Sequence, residues 1–484
     1  MKILPTLLLL FLCLALQPVM TPAVAQDGGG CTEIESSDDD TSEEEEEKQR
    51  KKNEGLAGGG AGKKDDANAP KVKLSLQQKI NNSIKSGVKW LKAKQAKKNQ
   101  EDGLKGSYPS VTANRDYKTK KDIGKRYRDE LGPTAWAIYT LAKCGVKRTD
   151  PVIKNGVKFL MDQTKYMWDE LGAAGKTAFG GRDGRQKPSR KSPRTVTTYE
   201  TAAIIMMIEA VYEQSAKLTG KHRKRRLHSD NPLKPPPGGR IPKPVWKYMH
   251  NRILFLTTGR RGSPNKKKKS RTIKGLQVTT GPNKGGWRYG PGNDGDLSAT
   301  QFALLALRAA SQAGYPVEKT SKDVWQTAAK YVKGCQRPNG GFAYQQRGGG
   351  VTGSMTGCGV GCLIICKEQM KLAGQAVPGW LDGALKKGMD WLDQNFVATQ
   401  NPGGAPHHYY YLYGIERVGD LTGRKEFNKK DWYVRGARVL VGSQDPSGRW
   451  DAGENFPPRD VNSTTLALLF LKRATPPTIT FTDK

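Results

Sequence analysis

Residues 285–307 read GGWRYGPGNDGDLSATQFALLAL and contain one complete unit of the pattern that decides the fold. A Gly-rich turn carrying Trp287 is followed by Asp296, Ser298 and then a long apolar segment. Asp and Ser ahead of an apolar segment are typical helix N-caps. Because this segment is apolar on nearly all sides, the pattern predicts a helix that its neighbours bury.

The same unit recurs along residues 71–476. Amphipathic, Lys-rich segments alternate with the apolar ones, and the later apolar segments open at intervals of 54–56 residues. Those openings are Thr300, Thr356, Tyr410 and Thr464. About six such pairs predict an all-α fold, an (α/α) toroid of about six helix hairpins with the apolar helices as its inner ring. An open helical solenoid needs no closure of the ring and is the alternative.

The two ends of the chain have a different composition. Residues 1–25 combine a basic start, a short apolar run and a small-residue cleavage pattern, which predicts a cleaved signal peptide and a secreted or periplasmic protein. Residues 26–70 are acidic and Gly-rich, and such a composition predicts a disordered leader. Residues 477–484 are predicted to be a short tail.

The charge of the chain predicts anionic partners. The 484 residues hold 81 Lys and Arg against 46 Asp and Glu, a net charge of +35, and the excess lies in residues 71–484. Much of it falls in insertions such as residues 115–128, 181–194 and 260–274. An anionic glycan, an envelope lipid or an acidic protein could bind such basic loops, and export disfavours nucleic acid.

Three cysteines, Cys358, Cys362 and Cys366, recur every four residues and therefore share one face of a helix. Thiolates on one face could bind a soft metal. Small side chains in a packed seam are the favoured interpretation, because buried free cysteines behave as small apolar residues. The sequence predicts no metal site and no cofactor.

The turns and apolar helices together resemble the prenyltransferase and squalene-oxidase repeats. These repeats occur in terpenoid cyclases and protein prenyltransferases, and the resemblance covers roughly residues 76–475. It implies an (α/α) toroid with a central cavity, in which we expect an apolar or a sugar ligand to bind. The inner helices run parallel, so we expect their N-terminal Ser, Thr and Asp residues to gather at one mouth of the cavity.

The resemblance also indicates which chemistry is missing. Squalene-hopene-type cyclases carry Asp-x-Asp-Asp-Thr at this mouth, whereas residues 296–300 read Asp-Leu-Ser-Ala-Thr. A hydroxyl is too weak an acid to protonate an alkene. Asp294, Asp296 and Asp460 are therefore predicted mainly as N-caps at the mouth, with Asp296 kept as a catalytic candidate and the other two as ligand-binding candidates.

Two relatives of the fold imply further chemistry that the sequence only partly matches. Protein prenyltransferases bind zinc through an Asp-x-Cys pair and a His, and His407 corresponds to that His, but Asp-x-Cys is absent near residues 348–352. A complement-type thioester needs Gly-Cys-Gly-Glu-Gln, and the chain reads Gly-Cys-Gly-Val-Gly at residues 357–361.

Residues 407–413, which read HHYYYLY, are the most unusual stretch. Its histidines could act as acid or base, and its tyrosines could stack on a ligand. The catalytic candidates are Asp296, Glu200, His407 and His408, and the ligand-binding candidates are Tyr409, Tyr410, Tyr411, Trp287, Asp294 and Asp460. We predict a ligand- or partner-binding toroid that lacks the usual acid; the alternative is a noncanonical terpene cyclase or a glycan-active enzyme.

Overall fold

The apolar segments of the sequence form helices buried along most of their length, and the amphipathic segments form helices with one exposed face. The computed structural model describes residues 74–97, 105–108, 131–164, 197–212, 229, 231–257, 259–261, 272–404, 406–451 and 459–475. The predicted signal peptide, the leader, the tail and the insertions 115–128 and 181–194 lie outside these residues.

The described residues are mostly helical. The helices are α1 (Leu76–Lys94), α2 (Leu131–Lys143), α3 (Pro151–Thr164), α4 (Thr198–Tyr212), α5 (Lys243–Leu256), α6 (Leu297–Gln312), α7 (Val317–Thr320), α8 (Val324–Gly334), α9 (Gly353–Leu372), α10 (Trp380–Asn395), α11 (His408–Thr422), α12 (Trp432–Gly442) and α13 (Arg459–Lys472). Two antiparallel hairpins pair β1 (Gly259–Arg261) with β2 (Thr272–Lys274) and β3 (Glu426–Phe427) with β4 (Lys430–Asp431).

The inner ring is closed. Helices α2, α4, α6, α9, α11 and α13 each contact the next one in this order, and α13 contacts α2. Helices α1, α3, α5, α8, α10 and α12 pack on the outside of these inner helices. The prediction of an all-α (α/α) toroid is thus confirmed, and the open solenoid was wrong, because an open array leaves its first and last apolar helices apart.

A glutamine at the end of an outer helix joins one repeat to the next. Gln336 Nε2 donates to the carbonyls of Gly340 in its own turn and of Ala384 in the next outer helix, both at 2.9 Å. Gln444 Nε2 makes the same two bonds, to Gly448 and to Ser83 of α1, and so closes the outer ring. These bonds explain why Gln recurs before the Gly-rich turns.

The Gly-rich turns need glycine because the next outer helix lies against them. Gly340 has a φ of 89°, and a Cβ there would meet the carbonyl oxygen of Lys387 at 2.4 Å. The amide of the aromatic residue in each turn then donates to a threonine near the start of the inner helix. These pairs are Tyr108 with Thr134, Trp287 with Thr300, Phe342 with Thr356 and Trp450 with Thr464.

In the part of the chain that the structure describes, no helix combines the length and the apolar character needed to cross a bilayer.

Candidate functional site

Asp296 marks the mouth at which the inner helices begin. It is the N-cap of α6, with extended backbone, and its Oδ1 accepts a hydrogen bond of 2.6 Å from the amide of Ala299. The other carboxylate oxygen, Oδ2, is buried and accepts no hydrogen bond. The cap thus uses one oxygen of Asp296, and the other lies in the range of an ion pair with Arg288.

Arg288 provides the charge nearest to that oxygen. Its Nη1 lies 3.6 Å from Asp296 Oδ2, and its Nε lies 3.5 Å from Asp294 Oδ2. Burial raises the pKa of Asp296 to about 6, and the amide of Ala299, the charge of Arg288 and the hydroxyl of Tyr344 limit the rise. Asp296 thus ionises close to neutral pH, as a proton donor or acceptor would.

Aromatic side chains from four inner helices meet inside the toroid. We call these five residues the axial aromatic group: Trp136, Tyr199, Phe302, Tyr410 and Tyr413. The ring of Phe302 lies 5.2 Å from that of Trp136, 5.1 Å from that of Tyr199 and 6.1 Å from that of Tyr410. Trp136 and Tyr199 are only half-buried, so part of this surface is accessible. Such a surface suits an apolar or ring-bearing molecule.

A polar cluster lies beside these rings. The hydroxyl of Tyr410 donates to Gln301 Oε1 at 2.8 Å and lies 3.0 Å from Ser298 Oγ and 3.1 Å from Cys358 Sγ. Because Tyr410 has one proton, Ser298 and Cys358 donate to its oxygen. Burial raises the pKa of Cys358 to about 11, so the thiol is neutral. Gln301 Nε2 is buried without a hydrogen-bond partner.

Arg417 lies about one helical turn beyond Tyr413, on the same face of α11. Its guanidinium stacks on the ring of Tyr413, with Cζ 4.2 Å from the ring centroid. The side chain is fully buried, and none of its three nitrogens has a hydrogen-bond partner. Buried guanidinium groups are normally paired with a carboxylate, so Arg417 is unusual among the buried side chains of α11.

The three consecutive tyrosines point in different directions, as helical rotation requires. Tyr410 faces the axis, whereas the hydroxyl of Tyr409 lies 3.1 Å from Ser443 Oγ after α12. Tyr411 packs against Gly353 at the start of α9. His407 has a left-handed backbone, with a φ of 73°, just before α11, and His408 Nε2 lies 2.7 Å from the carbonyl of Ala398.

The remaining predicted residues lie at the helix starts and in the turns. Glu200 forms a capping box with Thr197, whose amide donates to Glu200 Oε2 at 2.6 Å. Trp287 is fully buried, and its indole nitrogen donates to the carbonyl of Leu256. Asp460 lies 3.5 Å from Lys94 Nζ. Asp294 and Asp296 are thus brought together at Arg288, while the other candidates make separate contacts.

Cys358, Cys362 and Cys366 are all fully buried along α9 and unpaired. Burial raises the pKa of each thiol. Across the residues that the structure describes, no group of three or more His, Cys, Asp or Glu side chains could hold a metal ion. Cys358, Cys362 and Cys366 are thus part of the buried face of α9, and Cys358 also contacts the hydroxyl of Tyr410.

The repeats match a known domain in sequence. Residues 246–326 and 315–394, which include α5 from its fourth residue, α6 to α9 and all but the last residue of α10, match the family model of the prenyltransferase alpha-alpha toroid domain. This segment is thus similar in sequence to the prenyltransferase alpha-alpha toroid domain, and the described helices have the α/α toroid fold. No curated protein matches it in sequence.

Solved structures resemble the toroid at low identity. A type II terpene cyclase from Scytonema, solved with merosterolic acid A, is 10% identical with a TM-score of 0.39, over 82% of this chain and 97% of that one. A Candida albicans protein geranylgeranyltransferase-I is 14% identical with a TM-score of 0.39, over 70% and 83%. A glycoside hydrolase family 76 mannosidase from Bacteroides thetaiotaomicron is 7% identical with a TM-score of 0.46, over 82% and 98%. None of these similarities assigns an activity to the toroid.

Several residues of the site were not among the sequence candidates. They are Trp136, Tyr199, Arg288, Ser298, Gln301, Phe302, Cys358, Tyr413 and Arg417. One signal was present, because Tyr410, Tyr413 and Arg417 are spaced as one helix face and Arg417 interrupts a buried helix. The others come from different helices, and spacing along the chain does not show that they meet.

Proposed function

We propose that the toroid binds an apolar or ring-bearing small molecule against its axial aromatic group and does not act on it by alkene protonation. The observation that supports the proposal is the meeting of Trp136, Tyr199 and Phe302 with centroid distances of 5.1 and 5.2 Å, two of the three rings being half-buried. Ser298 occupies the position at which the cyclase pattern has its acid, and its hydroxyl is bonded to Tyr410.

A neutral apolar fluorophore tests the proposal directly. Titration with N-phenyl-1-naphthylamine should give saturable fluorescence with one site per chain. Trp136→Ala should weaken binding about tenfold, because an aromatic contact contributes of the order of 1 kcal/mol beyond its buried area.

Trp380→Ala is the matched control, since Trp380 begins the outer helix α10 and is also half-buried. It should leave the affinity unchanged. Circular dichroism checks that both variants are folded. An equal loss in the two variants, or binding that never saturates, would refute a site at the axial aromatic group.

Asp296 supports a second candidate function, an acid-catalysed enzyme acting on a terpenoid or a glycan in the toroid. Its buried Oδ2 accepts no hydrogen bond, and burial raises its pKa to about 6. Turnover of polyprenyl or mannan substrates, followed by mass spectrometry, should then fall at least about a hundredfold in Asp296→Asn. Turnover equal to that of the unchanged protein would exclude Asp296 as the acid.

We also propose, from the sequence alone, that the protein is exported and that its basic insertions contact an anionic glycan, an envelope lipid or an acidic protein. The net charge of +35 supports this proposal. Binding to an anionic surface should weaken steeply as salt rises, because salt screens the attraction. Binding that does not depend on salt would count against the role of the basic insertions. A protein that stays in the cell with residues 1–25 still attached would count against export.

A further inference from the structure

Arg417 differs from the other deeply buried arginine of the inner ring. Arg308 on α6 is paired with Glu368 on α9 at 2.6 Å. Arg417 on α11 is at least as buried, yet Nε, Nη1 and Nη2 all lack a hydrogen-bond partner. Guanidinium remains charged at any physiological pH. An unpaired buried charge costs stability, and a counter-charge that arrives from outside the chain would remove that cost.

The neighbours of Arg417 do not supply that charge. Tyr410, Tyr413 and Cys358 surround it, and burial raises the pKa of each of these groups, so all three are neutral near pH 7. Glu416 precedes it on α11, but its two oxygens accept hydrogen bonds from the backbone amide and the hydroxyl of Thr475. The pKa of Glu416 is raised to about 8 by burial, which also favours its neutral form.

The side-chain amide of Gln301 supplies a second set of hydrogen-bond donors close to Arg417. Gln301 Nε2 is buried and unpartnered, while the other end of the amide accepts the Tyr410 proton. Both Gln301 and Arg417 thus lie beside Tyr410 and Cys358. Two N–H groups and a planar guanidinium fork form a set of donors suited to the oxygens of a carboxylate or phosphate.

We propose that Arg417 and Gln301 bind the oxyanion headgroup of an amphiphilic ligand whose apolar part lies on the axial aromatic group. This inference rests on the proposed function and specifies its ligand class. The aromatic group leads to the headgroup site, since the Trp136 ring is 6.4 Å from that of Tyr413, which lies 4.2 Å from Arg417 Cζ. The same donors could bind a free inorganic anion, and the test separates the two sources.

Isothermal titration calorimetry with three probes tests the inference: decanoate, decanol and inorganic phosphate. The unchanged protein should bind decanoate about 30-fold more tightly than decanol, as expected for charge-assisted hydrogen bonds, and should bind phosphate alone more weakly than decanoate. Arg417→Met should reduce the decanoate affinity to that of decanol and leave decanol unaffected. Arg435→Met, at an exposed arginine of α12, is the control for the change in net charge.

The outcomes distinguish this inference from the function it rests on. If decanol and decanoate bind equally to the unchanged protein, the headgroup site is refuted and the apolar site stands. If neither binds, both proposals fail. If phosphate alone binds as tightly as decanoate, the site takes a free anion and the amphiphile is refuted.

The ligand series on the unchanged protein decides the question even if Arg417→Met does not fold. Thermal unfolding gives an independent readout in the ligand-free state. Arg417→Met should raise the melting temperature if the charge awaits a ligand, and a large decrease would show that Arg417 has a structural role instead.

Discussion

Asp296→Asn should make the toroid more stable near neutral pH and have little effect in acid. The buried Oδ2 of Asp296 accepts no hydrogen bond, and burial raises its pKa from 3.8 to about 6. Asparagine is an equally good N-cap, so the bond from the Ala299 amide to the side-chain oxygen is kept. The substitution therefore removes the ionisable group while it preserves the cap of α6.

The size and direction of the effect follow from the two pKa values. Below about pH 3.8 the carboxyl is neutral in both the folded and the unfolded chain, and it costs nothing. As the pH rises towards 6, the unfolded chain loses the proton while the folded chain keeps it, so the unchanged protein loses stability. Above that range the cost is constant at about 3 kcal/mol, since a difference of one between pKa values corresponds to about 1.4 kcal/mol.

Urea unfolding at a series of pH values measures this cost. The free energy of unfolding of Asp296→Asn minus that of the unchanged protein should grow from near zero at about pH 3.5 to about 3 kcal/mol at about pH 7.5. Asp294→Asn is the control, because Asp294 lies on the same Arg288 but its side chain is 57% exposed. At about pH 7.5 its difference should be well below that of Asp296→Asn, because an exposed carboxylate has little desolvation cost.

The reasoning would be refuted by a difference for Asp296→Asn that is independent of pH, or that shrinks as the pH rises. Either result would mean that Arg288 and the helix end stabilise the carboxylate as well as water does. The raised pKa of Asp296 would then be wrong, and its candidacy as an acid near neutral pH would be withdrawn.

Two further predictions concern the joints between repeats. Gln336→Ala removes the donor to Gly340 and Ala384 and should lower the free energy of unfolding, measured in urea, by about 2 kcal/mol. The control Gln77→Ala, on the exposed face of α1, should change it by less than about 0.5 kcal/mol. An equal loss in the two variants would show that Gln336 does not join the repeats. On α10, Gly388→Ala should destabilise the protein by about 1–3 kcal/mol, because its Cβ would lie 2.6 Å from Val360 Cγ2. Gly383→Ala, where a Cβ meets open space, should instead stabilise the helix by up to about 1 kcal/mol. Melting temperatures that shift in the same direction for both variants would contradict this prediction.

The positions of single helices could be predicted from the sequence with little ambiguity. Asp296 caps α6 as its place ahead of an apolar segment indicates, because capping is a local contact between residues three apart. The recurring Gln and Gly residues, Gln336 and Gly340 among them, also signalled the turns. What local pattern could not give is the partner across the turn, Ala384, which is 48 residues away in sequence.

The candidate site was only partly predictable for the same reason. The run of tyrosines indicated an aromatic surface, but the rotation of α11 decides that Tyr410 faces the axis while Tyr409 contacts Ser443. Rotation depends on packing against both neighbouring helices, and no local rule supplies it. Arg417 was visible as an interruption of a buried helix, yet its lack of a partner is a property of the closed ring.

The sequence alone determined that this chain is a helical repeat protein with a basic body, because alternating hydrophobicity and charge are read residue by residue. Only the tertiary structure decided that the ring closes, that aromatic side chains from four helices meet inside it, and that Arg417 is buried there without a hydrogen-bond partner. Closure brings together residues far apart in the chain. Whether a buried polar group is paired depends on every helix around it.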